Sequence, residues 1–121
     1  MFNFQQLEVW HLSIEFAELI YNATDSFPQH EIYGLTNQLR RAAVSISSNI
    51  AEGSGRGSNK DFQRFISMAY GSLMECVSQL EICLRRNYVS PESQKDLIVR
   101  AERIARMLSR LKNSLGPPTE P

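Results

Sequence analysis

Apolar residues return along this chain at helical spacing, in four blocks separated by short polar links. In the first block Trp10, Ile14, Ala17 and Tyr21 recur at steps of four, three and four. Leu12, Phe16, Leu19, Ile20 and Ala23 widen the stripe. The pattern predicts a helix from about Leu7 to Thr24, greasier than one buried face requires. Thr24-Asp25-Ser26 ends it. Phe27-Pro28 leads into the next element, because proline is tolerated in a first turn but not in a helix interior. The second block, with Ile32, Leu35, Leu39, Ala42 or Ala43, Ile46 and Ile50, predicts a helix from Pro28 or Glu31 to Glu52. Its middle, Ala42 to Ala51, is dominated by Ala and Ser and can lie close to a neighbour. Gly53 is expected to end it as a left-handed cap.

Ser58 with Asp61 three residues later has the form of a capping box and opens a third helix running to about Arg86. Its seam of Phe62, Ile66, Ala69, Leu73, Cys76, Leu80 and Cys83 alternates steps of four and three without a break, with Phe65 added to it. Gly71, which costs helix propensity, is read as the mark of a tight crossing. Ser90 and Pro91 suit the cap and first turn of a fourth helix. There Leu97, Ala101, Ile104, Leu108, Leu111 and Leu115 continue the rhythm until Gly116-Pro117-Pro118 stops it. Four amphipathic helices with short links predict an all-α, antiparallel up-and-down four-helix bundle over residues 1–116, with 117–121 as a flexible tail. Surplus apolar residues in the first helix (Leu12, Phe16, Leu19) and the third (Phe65, Val77, Leu84) argue for self-association as well.

Composition sharpens this picture in three places. The 121 residues fit one domain, and 13 basic against 13 acidic residues leave no net charge to advertise a polyanion partner. The distribution is uneven: residues 1–30 hold Glu8, Glu15, Glu18 and Asp25 with no Lys or Arg, whereas residues 31–60 and 91–121 each carry an excess of two positive charges. The two cysteines, Cys76 and Cys83, fall on the seam of the third helix and read as small buried hydrophobes. No signal-peptide pattern and no run of about 20 apolar residues occurs, so a cytoplasmic protein without membrane contact is expected.

Candidate chemistry is confined to polar groups around these helices. Arg40 and Arg41 are adjacent and project about 100° apart. They read either as phosphate contacts or as ion-pair partners of the acidic first helix; Arg41 is the better phosphate candidate and Arg40 the structural one. Asn49 and Glu52 lie among small residues and read as a polar network fixing register. The Gly53–Ser58 turn has neither the lysine of a Walker loop nor the strand that precedes a dinucleotide fingerprint. Arg56 and Lys60 could still add charge to a phosphate held near the helix start. On the fourth helix Arg100, Arg103, Arg106 and Arg110 follow steps of three, three and four, and form a basic flank that either grips a nucleic-acid backbone or pairs with acids such as Asp96 and Glu102. His11 and His30 belong to no acid–nucleophile constellation, and no metal, cofactor or catalytic site is expected.

Several blocks together resemble a known family: Leu7-Glu8-Val9-Trp10, Phe27-Pro28 with Tyr33-Gly34-Leu35, Gln38-Leu39-Arg40-Arg41-Ala42-Ala43, Asn49-Ile50-Ala51-Glu52-Gly53, Gly55-Arg56, Phe62 with Phe65, and Ala69-x-Gly71-Ser72-Leu73-x-Glu75. The chain resembles the four-helix proteins encoded by intervening sequences of bacterial 23S rRNA genes, the S23 family, which is similar in fold to the accessory protein of diversity-generating retroelements. The resemblance implies a homopentamer, RNA or DNA binding through basic surfaces, and a partner such as a reverse transcriptase. The competing expectation is a protein–protein adaptor or structural oligomer that binds no nucleic acid.

Overall fold

The computed structural model describes residues 1–117. After a 3-10 turn at Asn3–Gln6, helices α1 (Glu8–Thr24), α2 (Leu35–Ser54), α3 (Asn59–Arg85) and α4 (Pro91–Ser114) follow in order. Each packs on its neighbours in sequence, and α4 closes back on α1, so the four form a square with α1 and α3 on one diagonal. The described residues contain no strand. No helix is long and apolar enough to cross a membrane. Of the expected tail, residues 118–121 lie outside the described residues.

The seams meet in one core. Phe16, Ile20, Leu39, Ile46, Ile50, Ile66, Leu73, Leu80, Ile104 and Leu108 are fully buried, together with Cys76 and Cys83. Much of the apolar surplus simply broadens this core: Phe16 is buried in it, and Leu12, Leu19, Val77 and Leu84 are half-buried against it, while Phe65 is buried apart from it beside Gly53.

Helix ends follow local chemistry. Ser58 accepts a hydrogen bond from the Asp61 amide at 3.1 Å, and Ser90 accepts one from the Ser93 amide at 3.1 Å. At the end of α3, Asn87 takes φ 62°. The Tyr88 amide then reaches the Cys83 carbonyl (2.8 Å) and the Asn87 amide that of Leu84 (3.0 Å), the paired bonds of a Schellman motif.

Three expectations are corrected. The second helix does not begin at Pro28 or Glu31: a 3-10 turn at Gln29–Glu31 comes first, and α2 starts at Leu35. Its N-cap, Gly34, has no side chain, so the Glu31 carboxylate accepts from the Leu35 amide (3.2 Å) in its place. Gly53 is not a left-handed cap either, since α2 runs on to Ser54 and Gly55 caps it. Gly53 is instead buried at the contact with α3, where an added Cβ would stand 2.6 Å from the Phe65 Cβ. The close approach expected at Gly71 is therefore made at Gly53; around Gly71 there is open space.

Candidate nucleic-acid interface

The arginines of α4 separate into two pairs. Arg100 and Arg103 are drawn to the acidic first helix. Arg100 donates to Glu15 (2.9 Å) and to Asp96 (3.1 Å), and Arg103 to Glu8 (2.8 Å). These bonds, Asp96 first and Glu15 second, push the Arg100 guanidinium above its ordinary value. Arg106 and Arg110 are exposed and have no carboxylate within ion-pair distance among the described residues. Residues 103–117 contain no Asp or Glu, and Glu102, one turn before Arg106, is not within ion-pair distance of it.

The end of α4 is held against the start of α3. Gln63 Nε2 donates to the Lys112 and Gly116 carbonyls, both at 3.0 Å, and Asn59 Nδ2 to the Leu115 carbonyl at 3.3 Å. Side-chain amides of α3 thus bind carbonyls at the C-terminus of α4, among them the Lys112 carbonyl, which also accepts from the Leu115 amide (3.2 Å). Between the two helices lies an open groove lined by Lys60, Asp61, Gln63, Arg64, Lys112 and Asn113, among others. Lys60 and Lys112 have no acidic partner among the described residues, while Arg64 sits 3.7 Å from Asp61 and stacks over Phe65. Arg56 pairs with Glu52 at 3.6 Å and also stacks over Phe65, 4.8 Å from its ring centre. Sequence reasoning does not single out Arg64, Gln63 or Asn59. Their only signal there is their place in the first turns of a helix that follows a basic turn.

The remaining polar candidates fall elsewhere. Half-buried Arg40 donates to Thr24 Oγ1 (2.7 Å) and Asp25 (2.9 Å), and lies over the Tyr21 ring, tying α2 to the end of α1. Arg41 is exposed on a separate polar groove with Ser45, Ser72 and Glu75. Asn49 donates to the Ser45 carbonyl (2.9 Å) and hydroxyl (3.0 Å), and Ser72 donates to the same hydroxyl from α3. Asn49 and Glu52 therefore do not form one network: Asn49 is drawn into the α2–α3 contact, and Glu52 faces solvent. Burial pushes the Cys76 thiol up to about 12 and the Cys83 thiol to about 11, which leaves both poor nucleophiles. His11 Nε2 lies 2.7 Å from the Gln5 carbonyl, whereas His30 stands beside Glu31 and Tyr88 at the opposite end of α1. Among the described residues no cluster of His, Cys, Asp and Glu could hold a metal ion.

Fold and surface together define a small helical-bundle protein with a basic end and a partly neutralised flank. A model of the 23S rRNA-intervening sequence protein family matches residues 5–110, and the chain belongs to that family. The bundle is similar to the crystal structure of a protein of unknown function from the S23 ribosomal protein family of Bacteroides thetaiotaomicron VPI-5482. The TM-score is 0.77 at 24% identity, covering 86% of this chain and 97% of that one. No curated protein matches the chain.

Proposed function

We propose that this protein is a non-enzymatic, homo-oligomeric accessory protein that binds an RNA or DNA backbone through the end of the bundle where α4 meets the start of α3. One observation carries the reading. Arg106, Arg110 and Lys112 lie within the last three turns of α4, in a stretch without acidic residues, and Lys60 stands across the groove from Lys112. Lysine and arginine side chains without carboxylate partners are the ones free to displace counterions from a phosphate backbone. A pentamer, as the family resemblance implies, would present the patch five times and convert weak contacts into avidity. The test is a salt titration of binding to single-stranded RNA, duplex RNA and duplex DNA, with particle mass measured in the same buffers. Affinity that falls steeply with salt supports the proposal. Absence of binding at low salt overturns it.

The second reading, an adaptor or structural oligomer, is favoured by a different observation. Tyr33, Ile82 and Val99 are large apolar side chains left about half or more exposed. It predicts self-association or capture of a protein partner that nuclease treatment leaves intact.

A further inference from the structure

This bundle carries an exposed aromatic knob and an apolar groove with an unmet hydrogen-bond acceptor. The groove runs between α3 and α4 near their connecting link. It has a volume of about 640 Å³ and is lined by Val77, Ile82, Leu84, Gln94 and Ile98. Ile82 is 47% exposed there. Gln94 is only 7% exposed, and its Oε1 has no hydrogen-bond donor among the described residues. Buried acceptors are nearly always satisfied, so an orphan in the wall of a groove points to a donor from outside the chain. The charges at the rim, Glu81 and Arg85, already pair with each other at 2.9 Å. The groove therefore calls for a neutral, largely apolar group carrying one donor.

Tyr33 is such a group. It is 91% exposed, on a turn fixed by the hydrogen bonds of Glu31 to the Leu35 amide and to the Tyr88 hydroxyl. A tyrosine on a rigid turn combines apolar area, low ordering cost and a donor at its tip. The two features also share a level. The bond from Tyr88 to Glu31 places the α1–α2 and α3–α4 links at the same end of the bundle, and the square arrangement sets the α1–α2 side opposite the α3–α4 side. Tyr33 is 91% exposed and so does not fill the groove of its own chain; rotation about an axis parallel to the helices brings it level with the groove of a second copy.

We propose that Tyr33 of one subunit docks in the α3–α4 groove of the next, its ring against Ile82, Leu84 and Ile98 and its hydroxyl donating to Gln94 after a rotation of that amide. The occupant is thus a second copy of this chain. The contact joins two different surfaces and so propagates from subunit to subunit until a ring closes. It rests on the assembly part of the function proposed above, and not on nucleic-acid binding.

The experiment is particle mass by sedimentation for the full chain and for Tyr33→Ala, Tyr33→Phe and Ile82→Glu, followed by mixing. Tyr33→Ala and Ile82→Glu each weaken self-association about tenfold or more, as expected for removing an interface anchor. Both positions are exposed enough for the helical circular-dichroism signal to remain. Tyr33→Phe weakens it less, and combining it with Gln94→Leu adds nothing further, because both remove the same hydrogen bond. Mixing the Tyr33→Ala and Ile82→Glu chains yields a heterodimer, since each supplies the half that the other lacks. A wild-type monomer overturns the assembly reading and this contact together. A wild-type oligomer that both substitutions leave intact, or variants that do not recover on mixing, overturns the contact alone.

Discussion

Gly53 and Phe65 meet where α2 packs on α3, so closely that a methyl group on Gly53 would lie 2.6 Å from the Phe65 Cβ. Phe62 Cδ1 would be 3.0 Å away. The Phe65 Cβ is fixed to the backbone, so relief requires the helices to part. Gly53→Ala is predicted to destabilise the fold by about 1–3 kcal/mol, the usual cost of overpacking, against a helix-propensity gain of at most about 1 kcal/mol. Gly71→Ala meets nothing within 4 Å and keeps that gain. Urea unfolding of the two variants should move in opposite directions.

Arg40 and Arg41 should behave differently despite being neighbours. Arg40→Ala leaves buried Thr24 and the Asp25 carboxylate without their shared donor. A loss of roughly 1–2 kcal/mol is expected by thermal or urea unfolding. Arg41→Ala, at an exposed position, should change stability by less than about 0.5 kcal/mol.

The four arginines of α4 should divide in a binding assay as they do in the structure. Arg106→Ala and Arg110→Ala are expected to lower affinity for RNA or DNA. Each should also make the salt slope shallower by about one for every phosphate that the missing side chain no longer neutralises. Arg100→Ala and Arg103→Ala should leave the slope nearly unchanged, because Glu15, Asp96 and Glu8 already hold those side chains. Equal losses from all four substitutions would place the binding surface on the α1–α4 flank instead.

Acid should loosen the end of the bundle where the links meet. The Leu35 amide, and next the Tyr88 hydroxyl, hold the Glu31 carboxyl below its ordinary value of 4.5. A depressed carboxyl stabilises the fold above its unfolded-state value, and that contribution is lost as pH falls through the folded one. Stability measured from neutral pH down through 4.5 should therefore decline less steeply in Glu31→Gln than in the wild type. An identical decline in both would show that Glu31 contributes nothing to the acid response.

Much of the helical architecture is legible along the chain, because the cues are local. The four-three rhythm from Phe62 to Cys83 needs only helix geometry to be read, and Ser58, Ser90 and Pro91 act within one turn of themselves. The start of α2 is less legible because its capping group, Glu31, lies three residues before a glycine that has no side chain to declare it. The wall of the α3–α4 groove leaves no sequence signal either: Gln94 reads as one more polar residue in a first turn.

The sequence by itself determined the helices, the buried seam and a set of basic residues, since periodicity and capping are properties of neighbours. The tertiary structure decided which of those residues are free. Arg100 meets Glu15 across 85 positions and Arg103 meets Glu8 across 95, pairings that exist only once α4 closes on α1. The same closure leaves Arg106 and Arg110 without an acidic partner among the described residues, and the contact of α2 with α3 makes Gly53 the glycine that packing requires. Ion pairs and close contacts depend on distance in space, which a neutral sequence with its charges spread along four helices does not encode locally.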